Sequence, residues 1–155
     1  MSQDNFYIQS KSPEETIKLG AFLGDLATKL NKKTATVIAL NGVLGAGKTE
    51  LVKGLAEFLG VKEKILSPTF VLAKEFDCHR EPFKKVWHLD LYRFDKYTDL
   101  KALDWQDIIQ DKNNLVLVEW ADKFKGQLAL DYEVTLNVAG EQARDVVIKK
   151  AVSLK

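Results

Sequence analysis

The chain has 155 residues, 46% of them hydrophobic and 29% charged, which predicts one globular domain spanning residues 1–155. Lysine and arginine total 23 against 22 aspartates and glutamates, so the strong basic field of a free-standing nucleic-acid binder is absent from the sequence. Cys78 is the only cysteine, which excludes an internal disulfide and a multi-cysteine metal site. The sequence shows neither a signal peptide nor a membrane-spanning run, so we expect a soluble, cytoplasmic protein.

The first forty residues predict a strand, a helix and a second strand. Residues 6–9 are strand-like, and residues 12–15 (Ser-Pro-Glu-Glu) combine the capping serine, first-turn proline and acids typical of a helix start. Apolar residues then recur at helical spacing as far as Leu30. Residues 36–40 are apolar without alternation, which is typical of a parallel strand covered on both faces.

The later elements follow from similar patterns. A second helix is predicted from Leu51 to Leu59, with Gly60 as its stop signal. The other expected elements are strands at 71–76 and 85–92 around a polar stretch at 77–82, a helix at 99–109, a buried strand at 115–118, and strands at 132–138 and 145–151 around Gly140.

The segment between the second strand and the second helix fits the phosphate-binding pattern G-x-x-x-x-G-K-[ST]. Its residues are Gly42, Val43, Leu44, Gly45, Ala46, Gly47, Lys48 and Thr49. The glycines let successive N–H groups turn inward, and the positive end of the following helix completes a cradle for phosphate oxygens. Lys48 is expected to reach the β- and γ-phosphates, and the Thr49 hydroxyl to ligate Mg²⁺. Residues 31–34 (Asn-Lys-Lys-Thr) lack the acid of a guanine-recognition motif and precede the loop, which favours ATP.

Two acids that end or nearly end apolar strands are candidates for magnesium binding or catalysis. Glu119 follows four apolar residues, and strand alternation places Asp90 on one face with His88 and Tyr92. An acid enclosed by apolar residues is costly unless paired, so we favour a functional over a merely solvated role for both. His88 alone is more typical of a structural histidine than of a base. The three tryptophans are expected to fill the core or an interface.

A further candidate follows the second helix, where Ser67-Pro68-Thr69-Phe70 occupies a position at which nucleotide switches place a threonine that senses the γ-phosphate. An ordinary proline turn is the alternative interpretation of this segment.

Four motifs in order resemble the TsaE (YjeE) family, bacterial P-loop ATPases needed for the threonylcarbamoyladenosine modification of tRNA. They are Gly42 to Thr49, Ser67 to Phe70, His88-Leu89-Asp90-Leu91-Tyr92-Arg93 and Glu119-Trp120. The resemblance spans nearly the whole chain. It implies a three-layer α/β fold of the P-loop NTPase type, with a central, mostly parallel sheet, helices on both faces and additional antiparallel strands.

The resemblance also implies functional roles for particular residues. Thr49 and Glu119 would ligate Mg²⁺, residues 44–49 would hold the phosphates, and Thr69 and Asp90 would act in switching or catalysis, Glu119 also counting among the catalytic residues. The segment near Pro13 and the hairpin near Ala143 and Arg144 would approach the adenosine, where Arg144 would either stack on adenine or stay solvated. Val43 and Glu50 depart from the family's usual aspartate and threonine, but the cradle needs neither side chain.

The resemblance implies a slow, Mg²⁺-dependent ATPase that acts on a complex of the TsaD and TsaB subunits, with tRNA reached only through that complex. A small-molecule kinase shares the phosphate loop but needs several cations around the transferred group, and the chain has only Arg80, Arg93 and Arg144. Strand alternation places Arg93 on the face opposite Asp90. A nucleotide-gated binding module without useful turnover is the other alternative.

Overall fold

The computed structural model describes residues 5–43, 45–65 and 73–151. Its strands are β1 (Asn5–Ser10), β2 (Thr36–Asn41), β3 (Ala73–Arg80), β4 (Phe83–Asp90), β5 (Asn114–Glu119), β6 (Tyr132–Val138) and β7 (Arg144–Lys150). Its α-helices are α1 (Pro13–Thr28), α2 (Lys48–Phe58) and α3 (Trp105–Gln110), and two 3₁₀ helices cover Tyr97–Leu103 and Ala121–Phe124.

Within these residues the strands form one mixed sheet in the order β1-β7-β6-β2-β5-β4-β3. The four central strands, β6, β2, β5 and β4, run parallel, whereas β7 and β1 at one side and β3 at the other are antiparallel to their neighbours. The carboxyl ends of the parallel strands therefore meet at one edge of the sheet, which is where ligands of open α/β sheets bind.

The sheet is covered on both faces because successive strand residues point in opposite directions. Ile38 and Leu40 of β2 pack with α1 and α2, whereas Val37 and Ala39 pack with α3 and both 3₁₀ helices. This arrangement confirms the α/β fold with helices on both faces. None of the helices in the described ranges combines the length and apolar character needed to cross a membrane.

Helix α1 begins as the sequence predicts, with Ser12 as its N-cap and Pro13 at its first position. The Glu15 N–H donates to the Ser12 side chain at 3.2 Å, which satisfies one of the otherwise unpaired amides of the first turn. The helix packs closely on α2 at glycines. A Cβ placed on Gly54 would lie 1.7 Å from the Ile17 carbonyl oxygen, and one on Gly20 would lie 2.0 Å from the Leu51 carbonyl oxygen.

Three expectations are wrong in detail. The polar stretch at 77–82 is mostly strand, since β3 runs to Arg80 and only Glu81 and Pro82 form the turn. The helix expected over 99–109 is divided into a 3₁₀ helix and α3 by Asp104, whose φ of 55° is left-handed. The strand expected over 85–92 ends at Asp90, so alternation does not reach Tyr92 or Arg93. Residues 71 and 72 of the expected third strand lie outside the described residues.

We predict that Gly54→Ala lowers the free energy of unfolding by about 2–3 kcal/mol, because its methyl group would force the two helices apart. Chemical denaturation followed by circular dichroism measures this change. Gly140→Ala is the matched control, since a Cβ there would make an ordinary 3.4 Å contact with Ala143. Equal stabilities for the two variants would contradict the close helix contact.

Candidate functional site

The loop after β2 turns sharply into α2 at the carboxyl edge of the sheet. Gly42, Gly45 and Gly47 have φ angles of 156°, 84° and 98°, which side chains with a Cβ rarely adopt. Gly47 is the N-cap of α2, and no side chain in the described part of the chain caps this helix. Its first amides are therefore not used by a side-chain cap, and together with the helix dipole they favour an anion.

Glu119 ends β5 directly beside this loop and joins two positively charged or polar partners. Its Oε1 lies 3.0 Å from Lys48 Nζ, and its Oε2 lies 2.7 Å from His88 Nε2. The glutamate is 8% exposed and the histidine 3% exposed. Lys48 is the first residue of α2, so this ion pair connects the glycine loop to the centre of the sheet.

Burial and partners act in opposite directions on the Glu119 carboxyl. Desolvation alone would raise its pKa, but the hydrogen bonds and charges of His88 and Lys48 outweigh that effect and hold the pKa below its ordinary value. Glu119 therefore stays ionised at neutral pH. The enclosed acid at this strand end is thus paired with Lys48 and His88, and its role in magnesium binding or catalysis stays a prediction.

Asp90 is the register partner of Glu119 on the neighbouring strand β4. It is half-buried, and its Oδ1 accepts a hydrogen bond of 2.9 Å from the Tyr92 N–H. The expectation that Tyr92 shares the face of His88 and Asp90 is wrong, because the chain turns after Asp90 and leaves Tyr92 60% exposed. Arg93 lies exposed in the same turn, outside β4, so strand alternation does not determine which face it occupies.

The tryptophans differ in their surroundings. Trp105 is buried among the residues packed with α3 and Trp87 is half-buried, so both contribute to the core as expected. Trp120 directly follows Glu119, is 48% exposed and has a left-handed φ of 63°. Its ring centroid lies 5.0 Å from that of Tyr92, so an exposed aromatic pair stands beside the end of β5.

The beginning of β7 approaches the loop on its other side. Arg144 Nη2 donates to the Gly45 carbonyl oxygen at 3.1 Å, and Nη1 donates to the Ala143 carbonyl oxygen at 2.8 Å. A Cβ placed on Gly47 would lie 3.6 Å from Thr16 in the first turn of α1 and 3.8 Å from Arg144. The helix start that contains Pro13 and the hairpin that contains Ala143 and Arg144 therefore flank the loop, with the Arg144 guanidinium held against it.

The remaining predicted residues fall into two groups. Ala46 is buried and Thr49 is half-buried in the first turn of α2. Leu44 and Thr69, with the rest of the Ser67 to Phe70 motif, lie outside the described residues.

Sequence reasoning missed the contacts of His88 and Arg144. His88 reaches Glu119 because β4 and β5 pair in parallel with Asp90 opposite Glu119, and this register is not readable from either strand alone. The one available sequence signal for the His88 contact was that the motif beginning at His88 and the Glu119-Trp120 motif both lie at the ends of apolar strands. Arg144 contacts Gly45 across 99 positions of sequence, for which the chain gives no local signal.

The donor set is compatible with Mg²⁺, which prefers oxygen ligands and keeps several of its waters. Glu119 offers two carboxylate oxygens close to the first turn of α2, where Thr49 lies. In the described ranges no group of three or more histidine, cysteine, aspartate or glutamate side chains is arranged to hold a metal ion. A magnesium ion here would therefore rely on Thr49, Glu119, water and phosphate oxygens.

The sheet order and the strand, glycine loop and helix together define an α/β protein whose loop carries the P-loop sequence pattern. The family model described as "Threonylcarbamoyl adenosine biosynthesis protein TsaE" matches residues 10–146. This chain belongs to the TsaE family.

Individual relatives agree with the family match. The "tRNA threonylcarbamoyladenosine biosynthesis protein TsaE" of a Nostoc species is 36% identical over 138 residues, covering 87% of this chain and 80% of the relative. The protein of the same name from Aquifex aeolicus is 34% identical, covering 89% of this chain and 91% of the relative. The crystal structure of Bacillus subtilis YdiB superimposes with a TM-score of 0.69 at 25% identity, covering 98% of this chain and 89% of that one.

We predict that Arg144→Ala loosens the loop and speeds hydrogen exchange of the Ala46 amide, which donates to the Val43 carbonyl oxygen at 3.0 Å. Loss of one hydrogen bond from a charged donor corresponds to roughly tenfold faster exchange. Arg80→Ala is the control, because Arg80 binds the Phe58 carbonyl oxygen at the far end of α2. Unchanged Ala46 exchange in Arg144→Ala would contradict a bracing role.

Proposed function

We propose that this protein binds Mg-ATP at the loop between β2 and α2 and hydrolyses it as the ATPase component of tRNA threonylcarbamoyladenosine biosynthesis. The observation that carries the proposal is the pairing of Lys48 with Glu119 at the mouth of a glycine loop. One residue is suited to terminal phosphates and the other to a divalent cation, and each neutralises the other when no ligand is bound.

The residues divide the work of binding. Backbone amides of the loop and of the first turn of α2 hold the phosphates, and Lys48 moves from Glu119 to the β- and γ-phosphates. Thr49 and Glu119 hold Mg²⁺, which neutralises charge on the phosphate oxygens when bound. Arg144 braces Gly45 from the side where, by resemblance, Pro13 and Ala143 approach the adenosine.

Asp90 is the carboxylate that we propose to orient the attacking water. It stands beside Glu119 at the end of β4, and one of its oxygens is already oriented by the Tyr92 amide. This fixed carboxylate would orient water or the segment that contains Thr69, which the family resemblance implies is a switch.

The chain offers few arginines that could stabilise the negative charge of the transition state. Arg80 is engaged at the carboxyl end of α2 and Arg144 at Gly45, which leaves Arg93, in an exposed turn, as the remaining arginine. We therefore propose slow hydrolysis by the isolated chain and stimulation by the TsaD and TsaB partners. The near-neutral net charge of +1 is consistent with tRNA being bound by that complex in the cytoplasm.

We predict that Lys48→Ala weakens Mg-ATP binding roughly 100-fold, because the terminal phosphates lose a charge-assisted hydrogen bond. Wild type should also prefer ATP to GTP. Titration calorimetry measures both effects, and Lys53→Ala, an exposed lysine on the same helix, is the control. Equal affinity for ATP and GTP, or undiminished binding by Lys48→Ala, would remove the ATPase proposal.

We predict that single-turnover ATP cleavage is slow for the chain alone and rises, by on the order of a thousandfold, when TsaB and TsaD are added. Adding the same partners to Lys48→Ala controls for cleavage by the partners themselves. Fast cleavage by the isolated chain that the partners leave unchanged would instead indicate a self-sufficient phosphotransferase.

A further inference from the structure

His88 is a buried polar residue to which neither the sequence motifs nor the proposed mechanism gives a role. It lies on β4, between β3 and β5, where its backbone is held by neighbouring strands on both sides. Its side chain is 4% exposed and that of Glu119 10% exposed, and the 2.7 Å contact joins Nε2 to Oε2. Lys48, on Oε1 of the same carboxylate, comes from a different element and has a long flexible side chain.

We propose that His88 is a positioning residue that holds Oε2 of Glu119, so that Oε1 is the oxygen that would be available to Mg²⁺ once Lys48 turns to the phosphates. This inference rests on the proposed function, because it assumes that phosphates draw Lys48 away from Glu119. It assigns different roles to the two carboxylate oxygens. Oε2 is the fixed oxygen and Oε1 is the exchangeable one.

The physical need for such a residue follows from the exchange itself. The terminal torsion of a glutamate side chain is broad, so a carboxylate that loses one of two partners is free to rotate. A buried carboxylate also needs a remaining donor during the interval in which Lys48 has left. A donor on a rigid strand meets both requirements, and groups that orient a metal ligand in this way commonly change metal affinity 10- to 100-fold when removed.

The competing interpretation is that His88 serves only to satisfy Glu119 within the fold. The two roles differ in what they affect. A purely structural histidine would change folding stability and ATP binding alike, with or without metal. A positioning histidine acts through the Glu119 carboxylate, so its removal changes the Mg²⁺ dependence of ATP binding only where that carboxylate is present.

The test compares wild type with His88→Leu, which removes the donor, and His88→Gln, which keeps an N–H donor near the same position. Calorimetry measures ATP affinity in EDTA and over a Mg²⁺ series. We expect His88→Leu to raise the half-saturating Mg²⁺ concentration roughly tenfold or more. His88→Gln should recover most of the Mg²⁺ response. In a Glu119→Gln background, adding His88→Leu should change the half-saturating Mg²⁺ concentration by no more than about twofold, because the carboxylate through which His88 acts is gone. His79→Ala, an exposed histidine of β3, should match wild type.

Three results decide against the inference. An unchanged Mg²⁺ response in His88→Leu overturns it, and so does an equal effect of His88→Leu in the wild-type and Glu119→Gln backgrounds. A wild type that binds ATP without any Mg²⁺ dependence overturns the proposed function as well, which distinguishes the two failures. If His88→Leu does not fold, His88→Asn, whose amide is too short to reach Oε2, replaces it in the comparison with His88→Gln.

Discussion

The structure of the site depends on the position of one carboxylate. Glu119 is held between Lys48 at the start of α2 and His88 on β4, so a single side chain ties the glycine loop, the helix and two central strands together. The carboxylate is largely buried, and an unpaired charge at this depth would be costly. Glu119 therefore needs both partners to remain ionised. The same arrangement places a lysine and an acid side by side at the loop where we propose that a nucleotide and its metal ion bind.

The surrounding fold provides the precision that this contact needs. Parallel pairing of β4, β2 and β5 brings Asp90, Asn41 and Glu119 to one edge of the sheet. On the helical side, Gly54 of α2 lets its backbone approach the Ile17 carbonyl of α1. This close contact fixes α2, and therefore Lys48, relative to the sheet.

The sequence alone predicted those features that a few neighbouring residues determine. The glycine turn from β2 into α2, the Ser12 cap and the apolar strands β2 and β5 are each specified by a few adjacent residues, and the structure confirms these elements. The sequence did not predict contacts that depend on pairing between distant segments. The partners of His88 and Arg144 are set by strand register and by a contact between distant segments.

Two local misreadings have simple physical causes. β3 is an edge strand whose exposed side carries Asp77 and His79, so its polar residues suggested a loop although Cys78 between them is buried. The left-handed backbone at Asp104 breaks the expected helix without a glycine or proline to mark it. The functional roles of Thr69 and Asp90, which the sequence pattern suggests and the family resemblance implies, stay predictions.

The affinity of Glu119→Gln for metal-free ATP tests most directly whether Glu119 exchanges Lys48 for a metal ion. If ATP binds as we propose, in wild type without metal it draws Lys48 away from Glu119 and leaves a buried negative charge beside the phosphates, which disfavours binding. The glutamine removes that charge, so we expect Glu119→Gln to bind metal-free ATP more tightly than wild type and to gain much less affinity on adding Mg²⁺. Weaker metal-free binding together with an undiminished gain from Mg²⁺ would contradict the exchange of Lys48 for metal at Glu119.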